Sequence, residues 1–196
     1  MQGRLIFLVE EPSMKVLLDG LLPRVFAGWQ DRTHFMCVPH QGKSDLDKSV
    51  PRKLKEWRIP GDRFVIVRDN DSGDCMALKS RYVAACGLAG RPESLVRLVC
   101  QELESWYLGD LWAMAQAFLQ PDLDSPSLRK RFNDPDSWHK PSVEVDRLVL
   151  DFGKVAGARA MSAHLREGDQ NRSTSFRVFL AGVERVASEM GWVQTA

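Results

Sequence analysis

The stretch Phe64-Val65-Ile66-Val67-Arg68-Asp69-Asn70-Asp71-Ser72-Gly73-Asp74 constrains this chain more than any other. A short run of Phe, Val and Ile has the pattern of a buried strand. Here it breaks at once into three carboxylates and a glycine. Open α/β sheets gather their ligands at the carboxyl ends of their strands. An Asp-x-Asp pair in that place suits a divalent cation with oxygen ligands. The same residues also fit a solvated acidic turn, so the rest of the chain has to decide.

Two further runs end the same way. Leu5-Ile6-Phe7-Leu8-Val9 runs into Glu10-Glu11, and Ser94 to Cys100 runs into Gln101-Glu102-Leu103-Glu104. Between the runs lie helical patterns. Met14, Leu17, Leu18, Leu21 and Leu22 share one helix face, with Pro12 or Ser13 near its start. A second strand is expected at His34–Pro39, a helix over Leu46–Trp57, and another over Met76–Cys86 that stops at Gly87 and Gly90. Alternation of this kind predicts an α/β fold with a mainly parallel sheet flanked by helices. Parallel strands share a direction, so their three acidic ends would converge on one edge. Concentrated carboxylates repel one another unless a cation neutralises them. Mg²⁺ suits such a site, because it takes a few carboxylates and completes its octahedron with water and phosphate oxygens.

The remaining third has a different texture. Residues 120–141 hold Pro121, Pro126, Pro135 and Pro141, four of the chain's ten prolines, and read as a connector with at most short helices. Residues 142–196 read as a helical carboxyl-terminal part, with a well-patterned amphipathic helix from Phe176 to Met190. The expected organisation is therefore a core at 1–119, a Pro-rich connector at 120–141, and helices at 142–196 packed on the core.

The 196 residues carry a formal net charge of +1, so no global basic field announces a polyanionic partner, and phosphate binding has to be local or use metal. Cys37, Cys75, Cys86 and Cys100 show no Cys-x-x-Cys spacing and read as thiols in a reducing compartment, not as structural zinc ligands. The apolar run at the amino terminus is too short for a signal peptide, and no run reaches membrane-spanning length. The expected location is the cytoplasm, with no membrane partner.

At this point the residues resemble a known superfamily. Val9-Glu10 before a helix with Ser13, and Asp69-Asn70-Asp71 closing a later strand, are similar to the TOPRIM fold of topoisomerases, primases and overcoming-lysogenization-defect nucleases. The resemblance is closer to a bacterial domain family of unknown function within that superfamily. It takes in Gly42-Lys43-Ser44, Arg68 to Cys75, Glu102 to Asp110, Asn133-Asp134-Pro135-Asp136, Lys140-Pro141, Val155-Ala156-Gly157 and Asn171 to Phe176. What the resemblance implies is a TOPRIM-like core, Mg²⁺ (or Mn²⁺) chemistry on DNA or RNA, and partner ATPases of the ABC or AAA kind in phage-defence or mobile-element cassettes. The implied function is a metal-dependent nuclease or phosphodiester-processing subunit. The alternative is a non-catalytic subunit that senses nucleic acid or a nucleotide for a partner ATPase.

The implied roles fall residue by residue. Asp69 and Asp71 are metal ligands, Glu10 is a ligand or general acid/base, and Glu102 or Glu104 completes the set, with Glu104 preferred if one of the two turns inward. Glu10 also fits a helix-start carboxylate that complements the dipole, and Asp74 is either a partner of the ligands or a turn residue. One departure stands out: the superfamily usually carries Gly after the first Glu, where backbone approaches the site, and this chain has Glu11. Lys43 lacks the upstream Gly of a nucleotide-binding P-loop, and is either a phosphate-reaching catalytic cation or a solvated loop residue. Arg172, Ser173, Ser175 and Arg177 are candidate phosphate contacts, although a serine there also caps the following helix. Trp106 and Tyr107, flanked by leucines, are expected in the core. None of the four scattered histidines is assigned a catalytic role.

Overall fold

The computed structural model describes residues 3–192. Its centre is a four-stranded, wholly parallel sheet in the order β2-β1-β3-β4: β1 is Leu5–Val9, β2 Phe35–Pro39, β3 Arg63–Asp69 and β4 Leu95–Val99. The register sets Val9 opposite Pro39 on one side and Val67 on the other, and Asp69 opposite Val99. All five residues of β1 are buried, and β3 is buried from Phe64 to Asp69. These are the β-branched and aromatic runs that pack on both faces of a pleated sheet.

Three crossover helices connect the strands: α1 (Pro12–Val25), α2 (Lys43–Glu56) and α3 (Cys75–Leu88). The period of two in each strand divides its side chains between two cores. Leu5, Phe7 and Val9 belong with Val65 and Val67 to the larger core, under α1. Ile6 and Leu8 belong with Phe64 and Ile66 to the smaller one, under α2 and α3, where Leu46, Val50, Leu54, Tyr82 and Cys86 meet them. The helix α2 begins three residues before the expected Leu46, so Lys43 is its first residue and not part of a loop.

The helices that follow β4 fill out the larger core. They are α4 (Glu104–Leu108), α5 (Leu111–Ala117), α6 (Pro126–Arg131), α7 (Pro141–Leu148), α8 (Lys154–Ser162) and α9 (Thr174–Glu189). Phe176, Phe179 and Val183 of α9, and Ala158 and Met161 of α8, are buried together with Phe7 and Leu17. Close approach of α8 to α1 depends on Gly20, where a Cβ would fall 2.3 Å from Ser162 Oγ. The Pro-rich stretch holds α6 and two short 3₁₀ turns, and buries Leu123 and Phe132 in the same core. Prolines at the first turns of these pieces set φ where no N–H partner is lost. Among the described residues no helix is long and apolar enough to cross a membrane.

Candidate metal centre

The strand order reverses between β1 and β3, which opens a crevice at their carboxyl ends. Glu10 leaves β1 there, and Asp69 is the last residue of β3. A hydrogen bond joins them across the crevice: the Asp69 backbone N–H donates to Glu10 Oε2 at 3.1 Å. Both side chains are buried, and Asp69 Oδ1 has no partner. Glu104, first residue of α4, is buried as well, with Oε2 unpartnered. Burial pushes the Glu104 carboxyl up to about 7, with Glu11 and Glu102 adding to the rise and Lys154 opposing it. Burial, then the charges of Glu10, Glu104, Glu11 and Asp71, hold Asp69 well above the ordinary carboxylate range. Glu10 is raised too, mainly by burial, although the Asp69 N–H and Arg68 pull it back. The edge is thus short of positive charge.

Asp71 stands at the rim in the left-handed region (φ 49°), followed by Ser72 at φ 62°. Such backbone is uncommon for residues other than glycine, and here the neighbouring loop secures it. The Asp71 N–H donates to the Gln101 carbonyl at 3.0 Å, and Ser72 Oγ to Gln101 Oε1 at 2.9 Å. Lys43 Nζ lies 3.2 Å from Asp71 Oδ2. The structure therefore brings Glu10, Asp69, Asp71, Glu104 and Lys43 to one edge.

Glu102 behaves differently from Glu104. The strand β4 ends at Val99, so the two glutamates are not on one extended face. Glu102 accepts from Ser142 N–H at 2.9 Å and pairs with Lys140 at 3.3 Å. Burial would raise its carboxyl, but Ser142 and Lys140 outweigh that and hold it below its usual value. Glu102 is a tether for the start of α7, and Glu104 is the inward carboxylate. Asp74 caps α3 through the N–H groups of Met76 and Ala77.

Glu11 sits at φ −144°, ψ 164°, extended backbone that any residue adopts, so no glycine is required there. Its carboxylate accepts from Ser13 Oγ and lies 3.6 Å from Lys154 Nζ. Lys154, which opens α8, is a site residue that the sequence did not reveal. Burial alone would lower its ammonium, but Glu104, Glu11, Asp69 and Glu102 together hold it above its ordinary value. His139 is another: its Nδ1 lies 2.8 Å from Ser72 Oγ. Both come from distant segments, and their only signal was adjacency to the motif pieces Lys140-Pro141 and Val155-Ala156-Gly157.

The Arg172 to Arg177 cluster corrects an expectation. Ser173 and Ser175 are buried, and Asp136 accepts from both hydroxyls and from the Ser175 N–H. Ser173 also caps α9 by accepting from the Phe176 N–H. With these bonds made inside the fold, neither serine presents a hydroxyl to a phosphate. Arg172 donates to the Arg129 carbonyl and lines a separate cavity with Asp110, Trp112 and Arg166, and Arg177 pairs with Asp169. The Asn171–Phe176 segment instead clamps α4. Asn171 Nδ2 donates to the Trp106 carbonyl at 3.0 Å, Trp106 Nε1 donates to Ser175 Oγ at 3.0 Å, and Arg172 N–H donates to the Gly109 carbonyl at 2.9 Å. The Glu102–Asp110 and Asn171–Phe176 blocks thus hold each other, and between them they fix the helix that carries Glu104.

The raised carboxyl of Glu104 has a consequence for stability. A folded-state value above the ordinary 4.5 means that the native state holds the proton more tightly than the unfolded chain. Its contribution is complete below about 4.5 and is lost as pH climbs through about 7. At 1.36 kcal/mol per pH unit, the metal-free protein is expected to lose about 3 kcal/mol from this group. Urea unfolding of wild type and Glu104→Gln at pH 4.5 and 8 checks this: the difference between the two pH values should shrink in the variant.

The donors are hard carboxylate oxygens, the kind that Mg²⁺ takes. The carboxylate oxygens without partners are buried, and an uncompensated buried charge is costly. Among the described residues no three Asp, Glu, His or Cys side chains form a ready-made cage. Mg²⁺ needs none, since it binds through one or two carboxylates and keeps several waters.

No protein-family model matches the chain, and no curated protein matches it by sequence. Solved structures do resemble it. One is the C-terminal region of the Xanthomonas campestris pv. campestris OLD protein, at 14% identity over 96% of this chain and 97% of that one, with a TM-score of 0.57. Another is the C-terminal region of the Burkholderia pseudomallei OLD protein, at 15% identity over 95% and 100%, with a TM-score of 0.59. At these identities the likeness is one of fold: this chain has the α/β architecture, with its helical carboxyl-terminal part, of the C-terminal region of OLD proteins.

Proposed function

We propose that the chain is a Mg²⁺-dependent (or Mn²⁺-dependent) nuclease of TOPRIM type, or a phosphodiester-processing subunit, acting on DNA or RNA. The observation that carries the reading is the pair of buried, unpartnered carboxylates, Asp69 and Glu104, beside Glu10 at the β1/β3 crevice. One or two of Asp69, Asp71, Glu10 and Glu104 would hold the metal together with water, and the metal when bound would supply a Lewis acid for a phosphoryl oxygen and an acidified water. Around it, Glu10 is a proton acceptor made more basic by burial. Lys154 and Lys43 supply positive charge where a phosphodiester gathers negative charge. The likeness to the C-terminal regions of longer proteins supports a further element of the reading. The chain works in the cytoplasm with a partner ATPase of the ABC or AAA kind, in a phage-defence or mobile-element setting.

The test is cleavage of plasmid DNA and of RNA by purified protein with Mg²⁺ or Mn²⁺, for wild type, Asp69→Ala and Asp71→Ala. Wild type is expected to cut and both variants to lose the activity; equal behaviour of all three overturns the assignment. One observation favours a second reading, a non-catalytic subunit that senses nucleic acid or a nucleotide. The Lys154 ammonium already sits among the carboxylates and partly balances their charge. Calorimetry separates the readings, since a sensor of that kind would show no Mn²⁺ affinity dependent on Asp69.

A further inference from the structure

Most of the chain's lysines and arginines are held by an ion pair or donate a hydrogen bond. Among the described residues, Lys48, Arg52, Lys53, Lys55, Arg58 and Lys79 do neither through their side chains, and elsewhere Lys130 and Arg159 share that state. Five of the six lie on α2 or just past its end, and Lys79 is on the adjoining α3. The acids of α2 offset them only in part. Asp47 is taken by Arg81 and Tyr82, which leaves Asp45, whose charge acts on Lys53, and Glu56 against the six cations. A chain with a net charge of +1 thus concentrates its uncompensated positive charge on one flank.

The geometry of that flank is regular. Lys48, Arg52 and Lys55 are exposed and fall at i, i+4 and i+7, which places them in one row along the helix. At 1.5 Å per residue the row is about 10 Å long, and the span from Lys43 to Arg58 is about 20 Å. The row is also aimed. The first turn of α2 is fastened to the carboxylate edge, where Gly42 N–H donates to the Glu10 carbonyl at 2.9 Å and Lys43 pairs with Asp71. The N-terminal end of the row, at Lys48, is therefore its end nearest Glu10 and Asp69, while Lys43 projects from the side of α2 that Leu46, Val50 and Leu54 bury.

We propose that the outward face of α2, from Lys48 to Arg58, is a track for the phosphodiester backbone of a duplex, and that its N-terminal end delivers one phosphate to the carboxylate edge, where Lys43 stands. The proposal rests on the phosphodiester reading of that edge and names how its substrate is held. Lysines and arginines spaced along a helix neutralise successive phosphates without reading sequence, and each contact steepens the dependence of affinity on salt by about 0.9. A local track of this kind reconciles a nucleic-acid substrate with a nearly neutral chain.

The experiment measures binding without cleavage. Fluorescence anisotropy of a labelled 20-base-pair duplex, DNA and RNA in separate arms, is followed from 50 to 200 mM salt in EDTA. The proteins are wild type, the triple variant K48E/R52E/K55E, and the control K130E/R159E. The control is expected to bind as wild type does. The triple variant is expected to lose about 100-fold or more in affinity at low salt, and its salt slope to fall by about 3. Circular dichroism and Mn²⁺ calorimetry show that the fold and the edge are intact in that variant. An unchanged slope in the triple variant overturns the proposal, and so does binding only to anionic phosphatidylserine vesicles. Duplex binding through α2 by a protein that never cuts would overturn the nuclease reading and leave the track standing. Metal-dependent cutting without duplex binding would do the reverse.

Discussion

Asp69→Asn is expected to yield a protein that melts at a higher temperature than wild type near pH 8 and no longer cuts. The side chain is buried, Oδ1 finds no donor, and four other carboxylates act on it. Folding at pH 8 therefore either forces a charge into a hostile place or takes up a proton. Asparagine keeps the shape and removes that cost. For a chain of this size each kcal/mol moves the midpoint by about 2–4 °C, so a rise of several degrees is expected. Activity moves the other way. Loss of groups that merely support a metal ligand typically costs 10–100-fold, and removal of a ligand's charge is expected to cost about 100-fold or more. Differential scanning calorimetry at pH 8 and a plasmid-nicking assay on the same preparation check both halves. A variant that is less stable and equally active would show that Asp69 is an ordinary strand-end residue. The combination of gained stability and lost function marks strain kept for use.

Gly109→Ala is expected to be among the most damaging single-methyl changes in the chain. A Cβ there would fall 2.2 Å from Asn171 Oδ1 and 2.8 Å from the Ser173 backbone nitrogen. The second is main chain and cannot swing aside, and the first is held because Asn171 accepts from Ser173 N–H and donates to the Trp106 carbonyl. Overpacking of a fixed contact costs about 1–3 kcal/mol, and each buried hydrogen bond broken with it adds roughly 1 kcal/mol or more. An overall loss of about 3 kcal/mol or more in urea unfolding is the expected result. The variant should also bind Mn²⁺ more weakly, because the clamp it disturbs anchors the helix that begins at Glu104. Unfolding with wild-type energetics would mean that the Asn171 turn can shift as a unit.

Much of the centre was legible because its signals are local. Three of the four strands, β1, β3 and β4, are short apolar runs with acid at or just past the carboxyl end, and parallel pairing forces those ends together. The convergence of Glu10, Asp69 and Asp71 on one edge followed from that, their expected role as metal ligands came with the superfamily resemblance, and Glu104 was the preferred glutamate if one of the two turned inward. What stayed hidden depended on tertiary contacts between remote segments. Lys154 is separated from Glu11 by most of the chain, and no period or spacing links them. Ser173 and Ser175 looked like polar groups on offer because a sequence shows hydroxyls but not Asp136, which takes them both. Glu11 looked like a defect against the superfamily pattern. Its extended backbone removes the steric reason, and its carboxylate has an ion-pair partner of its own.

The position of Lys154 bears on how this protein can be divided. The helix that carries it packs along α1 and sets the ammonium among carboxylates supplied by the sheet. An α/β fragment ending at residue 119 would contain Glu10, Asp69, Asp71 and Glu104, and would still be a different electrostatic object. It would keep Lys43 and Arg68 but lose Lys154, a third cation that tempers their repulsion, and the Asn171 clamp that orients α4. The carboxylates are contributed by one half of the chain, and part of their counter-charge by the other. A gene fusion or truncation that respects strand boundaries alone would therefore separate an acidic edge from part of its own counter-charge.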